Sequence, residues 1–437
     1  MISKQSVLMI FTVCLFSVET LAQAPTPTPL TIQSSLASGQ DGSVYIESNV
    51  GDVPGRNSIL AFKRDRNGKL AAMGEFATGG TGVHPLLISF GNLAGTLGPF
   101  DSDQNLIFSR DRTRIFAVNS GSDTVAVFDI RRDGSLDPIQ GSPFPSGGAE
   151  PVSVGLAGDS NILVVVNKDY DLTRSGFDAS RRAPNYSTFF IERNGRLVPI
   201  PFSRNSAGSG DTVGVGSTTP TQALVSPSGG LVFDADFFAS TIHSLAVRPD
   251  GSLEPAASHG TPTSEFVPFP AIANPSARPY VLGLTAHPRQ RVLYAGFVFE
   301  GRVGVYTYNR SGQFSFARSV AADAGICWLT TNAAGDRVYT SNTLANSISV
   351  LDTSDPLHPV NIQNFQLPGP PAGSAQLALD SRGDYLYVVT QQALDFMPPE
   401  ANALHALRIA PDGRIAAETD RLVIPVAPSA PQGVIAR

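Results

Sequence analysis

Cysteine is nearly absent: Cys14 and Cys327 are the two in 437 residues. Cys14 lies in a leader-like segment, so a processed chain keeps Cys327 alone, and one thiol closes no internal disulfide. Stability must then come from burial, which a chain of this length can supply. Runs of lysine and arginine are also missing, and the net charge is -6. That balance argues against nucleic acid and anionic lipid as partners. The six histidines, His84, His243, His259, His287, His358 and His405, are scattered without paired ligand spacing. Asp169-x-Asp171 lacks the glycine and distal glutamate of a calcium loop. No metal and no cofactor is therefore expected. A Gly-x-Ser-x-Gly elbow and a phosphate-cradling glycine loop are absent as well. Past the leader no segment approaches the roughly 20 apolar residues of a transmembrane helix, so membrane insertion is not expected. Amphipathic helix patterns are missing too, while glycine (41) and proline (34) are abundant. That combination points to short strands and many turns.

At the N-terminus, Lys4 provides a positive charge, Val7 to Val18 is an apolar run, and Ala22-Gln23-Ala24 is a small-x-small cleavage pattern. These features predict a signal peptide over residues 1–24, with cleavage before Pro25. Pro25-Thr26-Pro27-Thr28-Pro29 opens a stiff linker over 25–39. The expected localisation is secreted or periplasmic, as a released monomer.

One unit recurs from residue 40 to residue 437. Its clearest mark is a glycine turn, as in Arg66-Asn67-Gly68-Lys69-Leu70, Arg132-Asp133-Gly134-Ser135-Leu136 and Arg193-Asn194-Gly195-Arg196-Leu197. Pro249-Asp250-Gly251-Ser252-Leu253, Arg310-Ser311-Gly312-Gln313-Phe314 and Pro411-Asp412-Gly413-Arg414-Ile415 repeat it. In the sixth unit the turn is rewritten as Ser354-Asp355-Pro356. Asn-Gly and Asp-Gly supply the positive φ angles of tight hairpins. The strand before each turn alternates, as in Thr124-Val125-Ala126-Val127-Phe128. The strand before that tends to end in asparagine (Asn49, Asn119, Asn342), read as structural. Seven units follow, and the first lacks its innermost strand. The chain ends in an orphan strand, Gln432-Gly433-Val434-Ile435-Ala436. The expected fold is all-β, a closed seven-bladed β-propeller whose C-terminal strand completes the first blade and removes an open edge.

With strands a to d running from channel to rim, d–a and b–c loops share one face, and a–b and c–d loops the other. The long insertions fall on the first face. Residues 79–102, 203–219 and 261–276 are d–a loops; 168–185 and 391–402 are b–c loops. Elaborated loops on a rigid scaffold carry function, so this is the candidate binding face. Its polar groups include His84, Glu150, Asp171, Arg174, Asp178, Arg181, Arg182, Asp211 and Glu265. Cys327-Trp328 opens the inner strand of blade six, where the tryptophan can stack on a planar or sugar ligand or pack between blades. His84, Glu150, Asp171, Arg174, Cys327 and Trp328 are the candidate ligand-binding residues; no catalytic residue is assigned.

The chain resembles the lactonase-type seven-bladed propellers, which include 6-phosphogluconolactonases, carboxymuconate cyclases and exported members without an assigned activity. Gly79-Gly80-Thr81-Gly82, Phe116-Ala117-Val118-Asn119-Ser120-Gly121-Ser122, Gly147-Gly148-Ala149-Glu150-Pro151-Val152-Ser153-Val154 and Cys327-Trp328 carry the resemblance. It implies a catalytic Pro-Arg-His at the start of the fourth inner strand and Asn-Glu at the end of the next. Here those positions are Pro220-Thr221-Gln222 and Asp236-Phe237, and an inner-strand histidine of blade three is matched by Val152. Lactone hydrolysis needs a base for water and a donor for the oxyanion, which these residues do not supply. Two readings follow. The first is an exported binding protein using the d–a/b–c face for a small molecule or a surface partner. The alternative is a hydrolase or lactonising isomerase acting on a lactone or cyclic ester through a rebuilt site of His84, Glu150 and Arg174.

Overall fold

The computed structural model describes residues 42–51, 53–83, 104–201, 203, 205–208, 217–265, 278–393, 397–424 and 430–437, and the backbone of 86–90 and 93–97. Seven antiparallel sheets form a closed ring of blades. In blade one, Gln432–Ala436 is the inner strand, pairing with Ser43–Glu47, which is followed outward by Ser58–Arg64 and Leu70–Ala77. The C-terminal strand therefore closes the ring, as the fragments at both ends imply.

The glycine turns are where neighbouring blades fasten. Gly134, Gly251, Gly312 and Gly413 all have φ between +81° and +91°. Their carbonyls accept hydroxyls from the preceding blade: Tyr45 to Gly134 (2.8 Å), Thr188 to Gly251 (2.8 Å), Ser244 to Gly312 (2.7 Å) and Tyr339 to Gly413 (2.7 Å). In the rewritten sixth turn Pro356 takes the same part for Tyr294 (3.0 Å). The turn motif thus sets the hairpin and the inter-blade contact together. Between these points the core is a set of apolar layers, one in each blade-to-blade gap. Tyr45, Ile59, Ile115 and Phe128, for instance, fill the gap between blades one and two.

Two departures come from proline and one from an insertion. The outer strands of blades two and three are each split, into Leu136–Pro138 with Phe144–Pro145 and into Leu197–Pro199 with Asn205–Ser206. Proline has no N–H for a ladder, so neither rim strand runs continuously. The inner strand of blade four shrinks to Leu224–Val225, with Pro220 making a lone bridge to Asp236. Carboxylates replace the missing ladder. Asp236 accepts from Thr219 N (2.8 Å), and Asp234 accepts from the N–H groups of Thr221 and Gln222 (2.9 Å each). The first d–a insertion carries an extra hairpin, Leu86–Phe90 with Leu93–Leu97. No helix among the described residues is long and apolar enough to cross a membrane.

The strand-end asparagines are buried and bonded, though mostly to side chains beyond the adjacent backbone. Asn119 Nδ2 donates to Thr124 Oγ1 (3.0 Å), and Asn342 Nδ2 to Ser347 Oγ (3.0 Å) and Ser349 Oγ (2.9 Å). Asn49 reaches the distant backbone of Val83. The glycine motifs lie against these asparagines. A Cβ on Gly80 would stand 2.3 Å from the Asn119 side chain, and one on Gly148 would stand 2.6 Å from that of Asn167. The segments that carry the family resemblance are therefore inter-blade packing units.

Candidate functional site

Most inner strands begin with a β-bulge. Register shifts fall between Pro151 and Ser153, Val281 and Leu284, Ile326 and Trp328, and Ser374 and Leu377. A bulge re-aims the extra residue and ends regular pairing. The d–a/b–c face of the channel is thus built from irregular backbone at the start of most inner strands.

Inside the channel, an amide belt occupies the level where the resemblance implies catalytic groups. Gln222 Nε2 donates to Gln104 Oε1 of blade two (3.0 Å) and to Leu284 O of blade five (3.1 Å), while its Oε1 accepts from Leu284 N (2.8 Å). Asn105 donates to Gln432 Oε1 and to Val152 O (3.1 Å each). Gln376 accepts from Gly433 N (3.2 Å). Thr221 Oγ1 donates to Ala235 O (2.7 Å), and Val152 is fully buried. Gln222, Asn105 and Gln376 thus join neighbouring or facing blades through their side chains.

Above the belt, over blades two and three, sits a charged cluster. Arg174 clamps Asp123 with two bonds, Nη2 to Oδ1 (2.6 Å) and Nη1 to Oδ2 (2.9 Å). Asp123 Oδ1 also accepts from Glu150 N (2.8 Å). Asp123 and Glu150 both hold left-handed backbone, with φ of 57° and 55°. The Glu150 carboxyl has no exposure. One oxygen accepts from Tyr170 N; the other has no partner. Burial pushes its pKa well up, with Lys168 pulling the other way. Asp171 is buried, accepts from Thr173 N (2.9 Å) and stands 4.0 Å from Arg174 Nε. Arg182 lies over the Tyr170 ring (4.5 Å) and donates to Thr218 O (2.6 Å), tying the b–c loop of blade three to blade four.

Tyr170 leads from this cluster into an aromatic strip. Its ring is 5.7 Å from Phe238, which is 5.0 Å from Phe237; Phe237 is 5.2 Å from Tyr280, and Tyr280 is 5.6 Å from Phe299. Trp328 and Cys327 are buried against the same cluster, at 2% and 7% exposure. Tyr280 is buried, and its hydroxyl has no partner. Glu300, in the b–c turn beside it, also has an oxygen without one. Burial pushes Glu300 up to about 7.

Of the residues singled out by sequence, Glu150, Asp171 and Arg174 come together, with Asp123 as the joint between them. Cys327 and Trp328 sit at the other end of the strip and present little surface. His84 and Asp211 lie outside the described residues. Asp178 and Arg181 form an exposed pair (3.2 Å), and Glu265 pairs with Arg302 (3.0 Å). Asp123, Tyr280 and Glu300 were not legible as site residues. One signal did exist for Glu300: it follows Phe297-Val298-Phe299 at a point where other second strands end in asparagine. On the opposite face, a cavity of about 890 Å³ opens between the a–b turns of blades six and seven, beside Arg112, Arg337 and Asp384.

No protein-family model matches the chain, and no curated protein matches it in sequence. Among solved structures it is similar to the periplasmic gluconolactonase of Pseudomonas aeruginosa, with a TM-score of 0.66 and 14% identity over 90% of this chain and 98% of that one. A putative 6-phosphogluconolactonase from Bacteroides uniformis gives 0.64 and 16%, covering 92% and 100%. Another from Bacteroides fragilis gives 0.62 and 14%, covering 91% and 98%. The neighbours are gluconolactonase-like propellers, and at these identities the likeness is one of fold.

Proposed function

We propose that the protein is an exported, non-catalytic propeller that binds a ligand on its d–a/b–c face, across blades two to five. The observation that carries this reading is the amide belt. Gln222, at the position where the resemblance implies histidine, spends both ends of its amide on Gln104 and Leu284. That use of the amide leaves Gln222 itself neither a base for water nor a free donor for an oxyanion. Phe237, at the implied glutamate position, is 4% exposed among other rings. Long loops, a clamped cluster at Arg174 and Asp123, and an aromatic strip remain, and these suit recognition better than turnover. Gluconolactone and 6-phosphogluconolactone hydrolysis by the purified protein, corrected for the spontaneous rate, tests the non-catalytic half. The expected result is no excess turnover, from the wild type and from the Thr221→Arg, Gln222→His, Phe237→Glu variant alike. Excess turnover by the wild type overturns it. A thermal-shift screen against sugars, lactones and organic acids tests the binding half, with loss of any shift expected in Arg174→Ala. Export is tested by N-terminal sequencing of secreted material, which should begin at Pro25.

One observation favours the second reading, a rebuilt hydrolase. Glu150 has a partnerless buried oxygen and a raised pKa, the pattern of a group that exchanges a proton near neutral pH. In that case the wild type turns over a lactone and Glu150→Gln does not.

A further inference from the structure

Two polar atoms that the fold leaves without partners lie at one end of the aromatic strip. Tyr280 Oη and Glu300 Oε2 are both buried and accept or donate no hydrogen bond. They belong to neighbouring elements: Tyr280 O accepts from Val298 N (2.9 Å), and Glu300 follows two residues later. The Glu300 charge acts on the Tyr280 hydroxyl, raising its pKa after burial does. Such orphans are rare, because a buried polar group without a partner costs about 1–3 kcal/mol. Among the described residues no lysine or arginine pairs with Glu300, unlike Glu265 and Arg302 nearby. The Tyr280 ring has further rings around it, with half-buried Phe299, the residue before Glu300, at 5.6 Å and half-buried Phe238 at 6.5 Å.

A carboxylate without a counter-ion, a free phenol oxygen and several aromatic faces define a ligand chemistry. Ring faces attract cations through their quadrupole. The carboxylate supplies the opposite charge, and the phenol oxygen accepts a second N–H. A neutral sugar would meet the rings and the hydroxyl but would leave the carboxylate without a counter-charge. An organic anion would be repelled. A quaternary ammonium has no N–H to give to either orphan atom. We propose that Glu300 and Tyr280, with Phe238 and Phe299, form a subsite for a small protonated primary amine on an apolar stem. The ammonium donates to Glu300 Oε2 and Tyr280 Oη while the stem lies on the rings. This assignment rests on the reading of the d–a/b–c face as a binding face, and it names the ligand class at one end of it.

The protein carries its own reporter. Trp328 is the single tryptophan, and it is buried in the same cluster as Phe237 and Tyr280. The test is titration of the full-length processed protein with phenethylamine hydrochloride at a pH above 7, followed by Trp328 fluorescence and by calorimetry. 2-Phenylethanol, which keeps the stem and lacks the charge, is the control. Saturable binding of the amine is expected, with the alcohol weaker by about tenfold or more, the scale of a hydrogen bond to a charged group. Glu300→Gln, which preserves shape, should lose about tenfold or more of the amine affinity with a melting temperature no lower than that of the wild type. Tyr280→Phe should lose less. The proposal is overturned if neither method detects saturable amine binding, if amine and alcohol bind alike, or if Glu300→Gln binds as the wild type does. The wider binding reading fails separately, when no ligand in the thermal-shift screen stabilises the protein.

Discussion

Arg64 and Asp380 meet at 3.1 Å with side chains each 2% exposed, joining the first blade to the seventh. The guanidinium also stacks on Tyr385 of blade seven, 4.3 Å from the ring centroid. Asp380 Oδ1 meanwhile accepts from Asp384 N (2.8 Å), holding its own turn. This pair stands where the chain's two ends are sewn together, so its loss is felt by the whole ring. Asp380→Asn keeps the turn acceptor and removes the charge, stranding a buried arginine. The expected cost is about 3–5 kcal/mol, read from urea unfolding. Lys69→Ala removes the ammonium of the 65% exposed Lys69 beside Asp420, and should cost under about 1 kcal/mol.

Closure by the C-terminal strand makes a second prediction. Deleting residues 432–437 removes the inner strand of blade one, its ladder to Ser43–Glu47 and the Gln432 and Gly433 members of the amide belt. Melting should fall by many degrees and lose cooperativity, since the exposed edge of blade one has no other partner. An unchanged melting temperature would falsify the role given to that strand.

Stability should depend on pH through buried carboxyls. Burial pushes Glu47 from an ordinary 4.5 up to about 8, and Asp234 from 3.8 up to about 6. In both the folded state holds its proton more tightly than the unfolded state. Their stabilising contribution is therefore complete below the ordinary values and is lost as pH rises through about 6 and then about 8. The urea midpoint should fall between about pH 5 and about pH 9. Glu47→Gln, which still accepts the Asn57 amide, should shrink that fall.

The hydroxyl contacts to the glycine turns can be removed singly. Tyr339→Phe leaves the ring in place and strips one bond to Gly413, at an expected cost of about 0.5–1.5 kcal/mol. Tyr45→Phe should cost as much, and the two should add, because they lie in different gaps of the ring. Chemical denaturation of the two single variants and the double variant checks both statements. Coupling well beyond experimental error would mean that the gaps are not independent.

Local chemistry was enough to determine the propeller. A glycine turn works through the φ of its own residue, and alternation works through neighbours two positions apart, so both are visible in a single stretch such as Thr124 to Gly134. Even closure was legible, because a half-made blade at one end and an orphan strand at the other leave one economical pairing. The site was legible only in part. Glu150 and Arg174 could be named from their loops, but their joint, Asp123, comes from another blade, and nothing local predicts that a carboxylate will face them. Gln222 is the sharper case. The resemblance implies a histidine at its position, and only the folded ring shows it spanning from Gln104 to Leu284. The tertiary structure alone also decides burial. The same carboxyl chemistry gives an exposed ion pair at Glu254, bonded to Arg248, and a partnerless oxygen at Glu300. The difference is one of burial, which the meeting of separate blades decides and no local pattern encodes.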